Sequence, residues 1–313
     1  MLSNFIVAAE AVIPMFIIIF LGVLIRKMGL IDREQGKKFN KVVFLCCFGP
    51  LMFTNLYGKE SSQAIDPKLI IFTLAVFFAL YFLTVVFVLK VEKSPKSRGA
   101  MIQAIYRSNF IIMGLPVVQN VFGKGELGVT AVIIAIVVPI YNILAVITLE
   151  VFRGGKPDLK ETILNLFRNP IILGAIAGFI AIAFKIEVPK LILSPVDMLA
   201  DAATPFALLL LGVSFDFRTV SVEKRNLIIC LVGRLIVYPA VGLIGGALMG
   251  FRGVPLLTLV AMFAAPSAIS SFTMAQQMDS DYDLAGNCVI FSSMFSCFTM
   301  FMWIFVLKSL GLF

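Results

Sequence analysis

Residues 100–123, AMIQAIYRSNFIIMGLPVVQNVFG, form an apolar run long enough to cross a bilayer, yet Arg107, Asn109 and a Gly114-x-Pro116 pair interrupt it. A proline in mid-helix removes a backbone hydrogen bond and pushes the preceding residue out of the helical region. The run therefore predicts a helix that ends near Gly114 and restarts at Pro116. Residues 257–278, LTLVAMFAAPSAISSFTMAQQM, repeat the device, with Pro266 followed by Ser267, Ser270, Ser271 and Thr273, whose hydroxyls can satisfy freed backbone groups. Irregular backbone at membrane depth is tolerated only when it is buried in protein or lines a cavity, and a pair of Pro-interrupted spans points to a transporter binding site. The restarted half-helices aim unpaired N–H groups and positive dipole ends at the membrane centre, which suits an anion.

The rest of the chain is of the same kind. Its 313 residues are 60% hydrophobic and 14% charged, with a mean hydropathy of +1.02, whereas soluble domains carry about 25% charged residues. The expected fold class is an all-α polytopic membrane protein. Apolar runs mark ten spans, at about 5–25, 40–57, 69–90, 99–122, 127–149, 170–186, 191–215, 226–250, 255–278 and 285–308. Ten divides as five plus five, and an odd number per half inserts the second half upside down, an inverted repeat. The expected divisions are a first repeat over 1–150, a cytoplasmic connecting loop over 151–169 and a second repeat over 170–313. Pro50 in span 2 and Pro205 in span 7 fall at equivalent places; for these and for Pro14, Pro139 and Pro239 the expectation is a kink, not a break.

The net charge of +8 is mostly a matter of orientation. Arg26, Lys27, Arg33, Lys37, Lys38 and Lys41 follow span 1, and the loops after spans 3, 5 and 7 are also basic, so these loops are expected to be cytoplasmic and both termini extracytoplasmic, in the cell membrane. The turn after span 9, DSDYDL, breaks the pattern with Asp279, Asp281 and Asp283. Span 1 carries Glu10 and no basic leader, and is expected to be a retained helix.

The chain has no histidine, which removes Ser-His-Asp and Cys-His catalysis, HExxH zinc chemistry and an imidazole relay. Cys46, Cys47, Cys230, Cys288 and Cys297 all lie in apolar runs without a CxxC pair and are expected to pack as small apolar groups. No catalytic residue, metal or cofactor is expected.

The segments RSNFIIMGLPVVQNVFG (107–123), FRNPIILGAIAG (167–178), ADAATPFALLLLGVSF (200–215) and AAPSAISSFTMAQQM (264–278), in this order and spacing, resemble the auxin efflux carrier family, which includes bacterial malate and malonate permeases and the plant auxin exporters. The resemblance implies two inverted five-helix repeats with spans 4 and 9 broken and crossing. It also implies a homodimer in which spans 1, 2, 6 and 7 form a scaffold and spans 3–5 and 8–10 an elevator-type transport unit. Carried over by position, Asn109, Gly114, Pro116, Pro266 and Ser267 line the substrate site, with Asn142 in PIYNILAV a further polar contact and Ser270 beside them. The central loop, residues 150–169, is far shorter than that of the long plant carriers, so auxin itself is not implied.

Among polar groups inside spans, Arg107 is a candidate to attract the anion, and Arg234 is expected to form a structural ion pair with Glu10, Asp197 or Asp201. Asp201, Glu10 and Gln276 are candidates for ion coupling. The expected function is secondary transport of a small organic anion, a carboxylate such as malate, malonate or an auxin-like indole acid, by alternating access; its partners are that anion, the lipid bilayer, a second copy and a coupling proton or sodium. The alternatives are a sodium-coupled bile-acid-type carrier or, in a different class, a membrane sensor or lipid-modifying enzyme.

Overall fold

The computed structural model describes residues 2–57, 66–123, 127–153 and 159–312, with 2–11 and 159–162 described by backbone alone. Among the described residues every regular element is a helix. In chain order these are α1 (Leu2–Lys27), α2 (Arg33–Leu56), α3 (Pro67–Val91), α4 (Pro95–Tyr106), α5 (Leu115–Phe122), α6 (Gly128–Val151), α7 (Leu159–Arg168), α8 (Pro170–Ala183), α9 (Lys190–Ser214), α10 (Phe217–Val222), α11 (Lys224–Val232), α12 (Tyr238–Leu248), α13 (Gly253–Phe263), α14 (Ser270–Gln277) and α15 (Tyr282–Ser309). A wide π turn (Phe110–Gly114) leads into α5, and another (Gly233–Val237) joins α11 to α12.

Local chemistry starts these helices where they start. Asp32 and Gln35 close a capping box on α2, and Asp66 and Ser94 cap α3 and α4, each followed by a proline in the first turn. Asn169 before Pro170 and Asp281 do the same for α8 and α15. Six of the described helices are long and apolar enough to cross a membrane, namely Arg33–Leu56, Pro67–Val91, Gly128–Val151, Lys190–Ser214, Lys224–Leu248 and Tyr282–Ser309, and Phe110–Phe122, Pro170–Ala183 and Gly253–Phe263 are shorter apolar pieces. Outward faces carry exposed side chains such as Phe82, Leu83, Phe206 and Phe298, as in a protein whose solvent is lipid. Pro14, Pro50, Pro139 and Pro205 lie inside unbroken helices, and Pro239 opens α12.

The second break falls where Pro266 predicts it, between Phe263 and Ser270. The first does not: the helix stops at Tyr106, and the interruption is Arg107-Ser108-Asn109, well before Gly114 and Pro116. Pro116 sits in the first turn of α5, where its missing N–H is no loss, and the π turn before it absorbs the misfit, with the Leu115 N–H donating to Phe110 O. The two breaks lie against each other. Ser108 and Ser267 form an antiparallel bridge, the Asn109 N–H donates to Pro266 O at 2.8 Å, and the Ala268 N–H to Arg107 O at 3.3 Å. Each unwound backbone satisfies the other.

Two close helix contacts hold α1, α2, α8 and α9 together. A Cβ on Gly22 of α1 would lie 2.0 Å from Leu209 O of α9, and one on Gly174 of α8 would lie 2.2 Å from Gly49 O of α2. Only glycine permits these approaches. The acidic turn 279–283 sits on the same face as the basic loops: Asp279 pairs with Lys96 at 2.8 Å, Asp281 accepts from Ser97 Oγ at 2.8 Å, and Asp283 pairs with Arg33 at 2.8 Å. Its lack of base is complemented by its neighbours. The connection 151–169 is more than a loop, since α7 within it exposes Ile163, Leu164 and Phe167, the pattern of a helix lying along a membrane interface.

Candidate functional site

A cavity of about 350 Å³ begins at the two breaks and extends between them and helices α2 and α9. Arg107, Ser108 and Asn109 form its floor together with Ser270 at the start of α14. Tyr141 and Asn142 of α6 stand on one side, and Thr54 and Asn55 of α2 with Asp201 and Thr204 of α9 on the other. On α2 these residues lie in the half remote from Arg33, so the cavity extends away from the basic face.

Arg107 is 3% exposed, and its guanidinium donates to Asn142 Oδ1 and, at 2.8 Å, to Met274 Sδ. Among the described residues it takes part in no ion pair. Held among the described residues by an amide and a thioether, this buried cation lacks there the counter-charge that such a group needs. Beside it, Asn109 Nδ2 and Ser108 Oγ have no hydrogen-bond partner among the described residues. The π turn at Phe110 and the first turn of α14 both begin here, adding positive dipole ends. The floor offers donors and positive potential; the far wall carries the carboxylate of Asp201.

The structure brings Arg107, Asn109, Asn142, Ser270 and Asp201 to one cavity. It places the other candidates elsewhere. Gly114 packs against Ala261 of α13, and Pro116 lies beyond it in α5. Pro266 receives the Asn109 N–H, and Ser267 donates from Oγ to Ala104 O at 2.7 Å while its N–H donates to Ser292 Oγ at 3.0 Å, so both hold the breaks and do not line the cavity. Gln276 accepts from Asn40 Nδ2 of α2 at 2.7 Å, with both residues buried. The side chain of Glu10 lies outside the described residues.

Arg234 corrects the expectation of an ion pair with Asp197 or Asp201: among the described residues its guanidinium partners are carbonyls and not acids. It is fully buried, and its guanidinium donates to Ala265 O at 2.8 Å, Met262 O at 2.9 Å, Phe263 O at 2.8 Å, Tyr106 O at 3.1 Å and Ile105 O at 3.3 Å. Four of these are the carbonyls left open at the C-terminal ends of α4 and α13, where a helix leaves its last C=O groups unpaired and its dipole negative, and the fifth, Ala265 O, belongs to the unwound segment that follows α13. One side chain caps both broken helices at once. The carbonyls belong to segments far apart in sequence, so only the pairing of the breaks brings them to one arginine.

The lining of the cavity does not reach the basic face. Besides the Asn40–Gln276 bond, Arg33 donates from Nε to Ser214 O at 2.9 Å, pairs with Asp283 and approaches Asp216 at 3.9 Å. The backbone N–H of Arg218, and then the Arg33 guanidinium, hold the Asp216 carboxyl below the usual range, so it stays charged well into acid. These contacts tie α2 and α9 to α14 and α15.

Long apolar helices around two back-to-back helix breaks and a polar cavity define a multi-pass membrane transporter. The chain belongs to the membrane transport protein family, that of the auxin efflux carriers, whose model matches residues 7–304. It is 23% identical to an uncharacterized transporter of Methanocaldococcus jannaschii over 95% of this chain and 98% of that protein, and 24% identical to one of Methanothermobacter thermautotrophicus over 96% and 98%. Auxin efflux carrier component 5 of Arabidopsis thaliana is 21% identical over 92% of this chain and 93% of its own length.

Proposed function

We propose that the protein is a secondary transporter of a small organic anion, most simply a carboxylate, that binds at the paired helix breaks. The observation that carries this reading is the buried Arg107 guanidinium, free of any carboxylate among the described residues, beside the open donor of Asn109 in a cavity of small-molecule size. An anion there meets a fixed cation, an amide donor and two helix N-termini in place of water.

The movement proposed is an elevator. α1, α2, α8 and α9 form the scaffold, and the helices that carry the breaks move against it. The two glycine contacts support an inverted repeat: α1 on α9 and α8 on α2 exchange when the halves are exchanged, as do the breaks at Asn109 and Pro266. With the basic loops cytoplasmic, the cavity faces outward and the contacts of Arg33 and Asn40 close the inward path. The assembly proposed is a homodimer in the cell membrane with both termini outside. Asp201, on the scaffold wall, is the carboxylate placed to take a proton or cation during transport.

The test is a thermal-shift screen of the purified protein against mono- and dicarboxylates and indole acids, with and without sodium and at two pH values. Stabilisation by one carboxylate class, lost in Asn109→Ala with expression intact, is the expected result. Stabilisation by none of the anions but by a cation or neutral solute overturns the reading.

A further inference from the structure

A second crevice, of about 440 Å³, opens on the outer flank of the protein between α3 and the α11–α12 pair, away from the transport cavity. Leu83 and Phe87 of α3 line it together with Ile228 and Val232 of α11, Val237 at the end of the π turn and Val241 of α12. Its two polar side chains, Thr84 and Tyr238, bond to each other at 2.9 Å, and Thr84 also donates to Leu80 O, so the walls offer only hydrocarbon. At the floor Gly233 packs closely on Ile105, where a Cβ would lie 3.1 Å from its side chain. From Ile228 to Val241 the crevice follows about 20 Å of helix at 1.5 Å per residue, and one leaflet of a bilayer core is about 15 Å thick. A crevice of this length and lining matches a single acyl chain in size and chemistry.

The end of the crevice nearest the basic face is charged. Lys90 lies one turn beyond Phe87 on the same face of α3, and Lys224 and Arg225 lie one turn before Ile228 and Ile229 on α11. Arg225 donates to Val91 O at 3.1 Å, and Arg98 reaches the same helix end through Glu92 O at 2.7 Å and Leu89 O at 3.3 Å. These partners are carbonyls, which leave the cationic charge in place. The acids nearby are Glu92, Glu223 and, beyond Glu223, Asp281; Glu92 is already engaged by the N–H groups of Lys93 and Ser94 and by Asn226 Nδ2, and Asp281 by Ser97 Oγ. Base exceeds acid at the mouth.

We propose that this crevice binds an anionic phospholipid of the leaflet that meets the basic loops, one acyl chain lying along Leu83, Phe87, Ile228 and Val232 and the phosphate held by Lys90, Lys224 and Arg225. The chain rests against Ile105 and Gly233, the residues beside Arg234 and its ring of carbonyls, and so shields the outer flank of the paired breaks from the bilayer.

The test uses the full-length protein in micelles, titrated with phosphatidylglycerol or with phosphatidylcholine of the same acyl chains, with lipid occupancy read by native mass spectrometry. Phosphatidylglycerol is expected to bind more tightly, and Lys90→Gln with Arg225→Gln to weaken it about thirty-fold, at about 1 kcal/mol per basic residue near anionic lipid, without changing the weaker phosphatidylcholine binding. Val232→Trp, which fills the crevice, is expected to remove both. The charge variant alters only exposed side chains, so its loss of binding does not report unfolding. Equal affinity for the two lipids, unchanged phosphatidylglycerol affinity in the charge variant, or full occupancy in Val232→Trp overturns the proposal.

Discussion

The guanidinium of Arg107 rests on the side-chain oxygen of Asn142, and Asn142 is itself anchored through its Nδ2 to Val138 O at 3.0 Å. α6 thus aims a cation from the first break into the cavity. Arg107→Gln is expected to weaken anion binding by one to two orders of magnitude, since hydrogen bonds to a charged group contribute about 1.5–3 kcal/mol. Asn142→Ala acts through Arg107, so it should weaken binding in the native background and add little in Arg107→Gln. Ligand titration of the two single variants and the double variant measures that coupling; fully additive losses sink the assigned relationship.

Arg234 carries a different expectation, because it touches the helix ends and not the cavity. Arg234→Met leaves five carbonyls, four at the C-termini of α4 and α13 and that of Ala265 in the break, without their donor. The cost is on the order of 3 kcal/mol or more, since each buried group left unpaired is penalised. Expression and thermal stability should fall sharply, with Arg234→Lys intermediate because an ammonium cannot fork across both ends. A fully stable Arg234→Met protein would contradict the capping role.

How much of this was legible before the structure depends on what each residue partners. Pro266 marks its break because proline acts on its own backbone, and Arg107 and Asn109 stand out as polar groups in an apolar run. Pro116 misled because the same residue that interrupts a helix also starts one, and the chain used it at the first turn of α5. Arg234 was unreadable for another reason: its partners are carbonyls, which every sequence contains, at Tyr106 and Phe263 of two separate helices. The α2 wall of the cavity and the Asn40–Gln276 bond likewise depend on helices distant in sequence coming together, which no local pattern encodes.

The closure on the basic face leads to a prediction about populations. Asn40 and Gln276 are buried and bonded at 2.7 Å, whereas the Arg33–Asp283 pair is about one-third exposed and contributes about 0–1 kcal/mol. Asn40→Ala together with Arg33→Ala is expected to favour the state open to the basic face by about tenfold, the sum of two contributions near 1 kcal/mol or less. A cysteine placed at Thr273 in a background without the native cysteines reports this as faster labelling by a water-soluble thiol reagent from that face. Unchanged labelling would show that these contacts do not hold the state.

Glu223, between α10 and α11, supplies the pH dependence. Burial first, then the charges of Asp281 and Glu92, push its carboxyl above the usual range. A carboxyl whose folded-state pKa is raised opposes folding while it is ionised, and the opposition is relieved as pH falls through that raised value. Glu223→Gln should therefore raise the melting temperature at neutral and alkaline pH. The difference from the native protein should shrink in mild acid, where Glu223 takes up its proton, and vanish below the ordinary carboxylate range. Melting curves of both proteins across that range decide the matter: a stabilisation that is independent of pH would mean that Glu223 acts through its shape and not its charge.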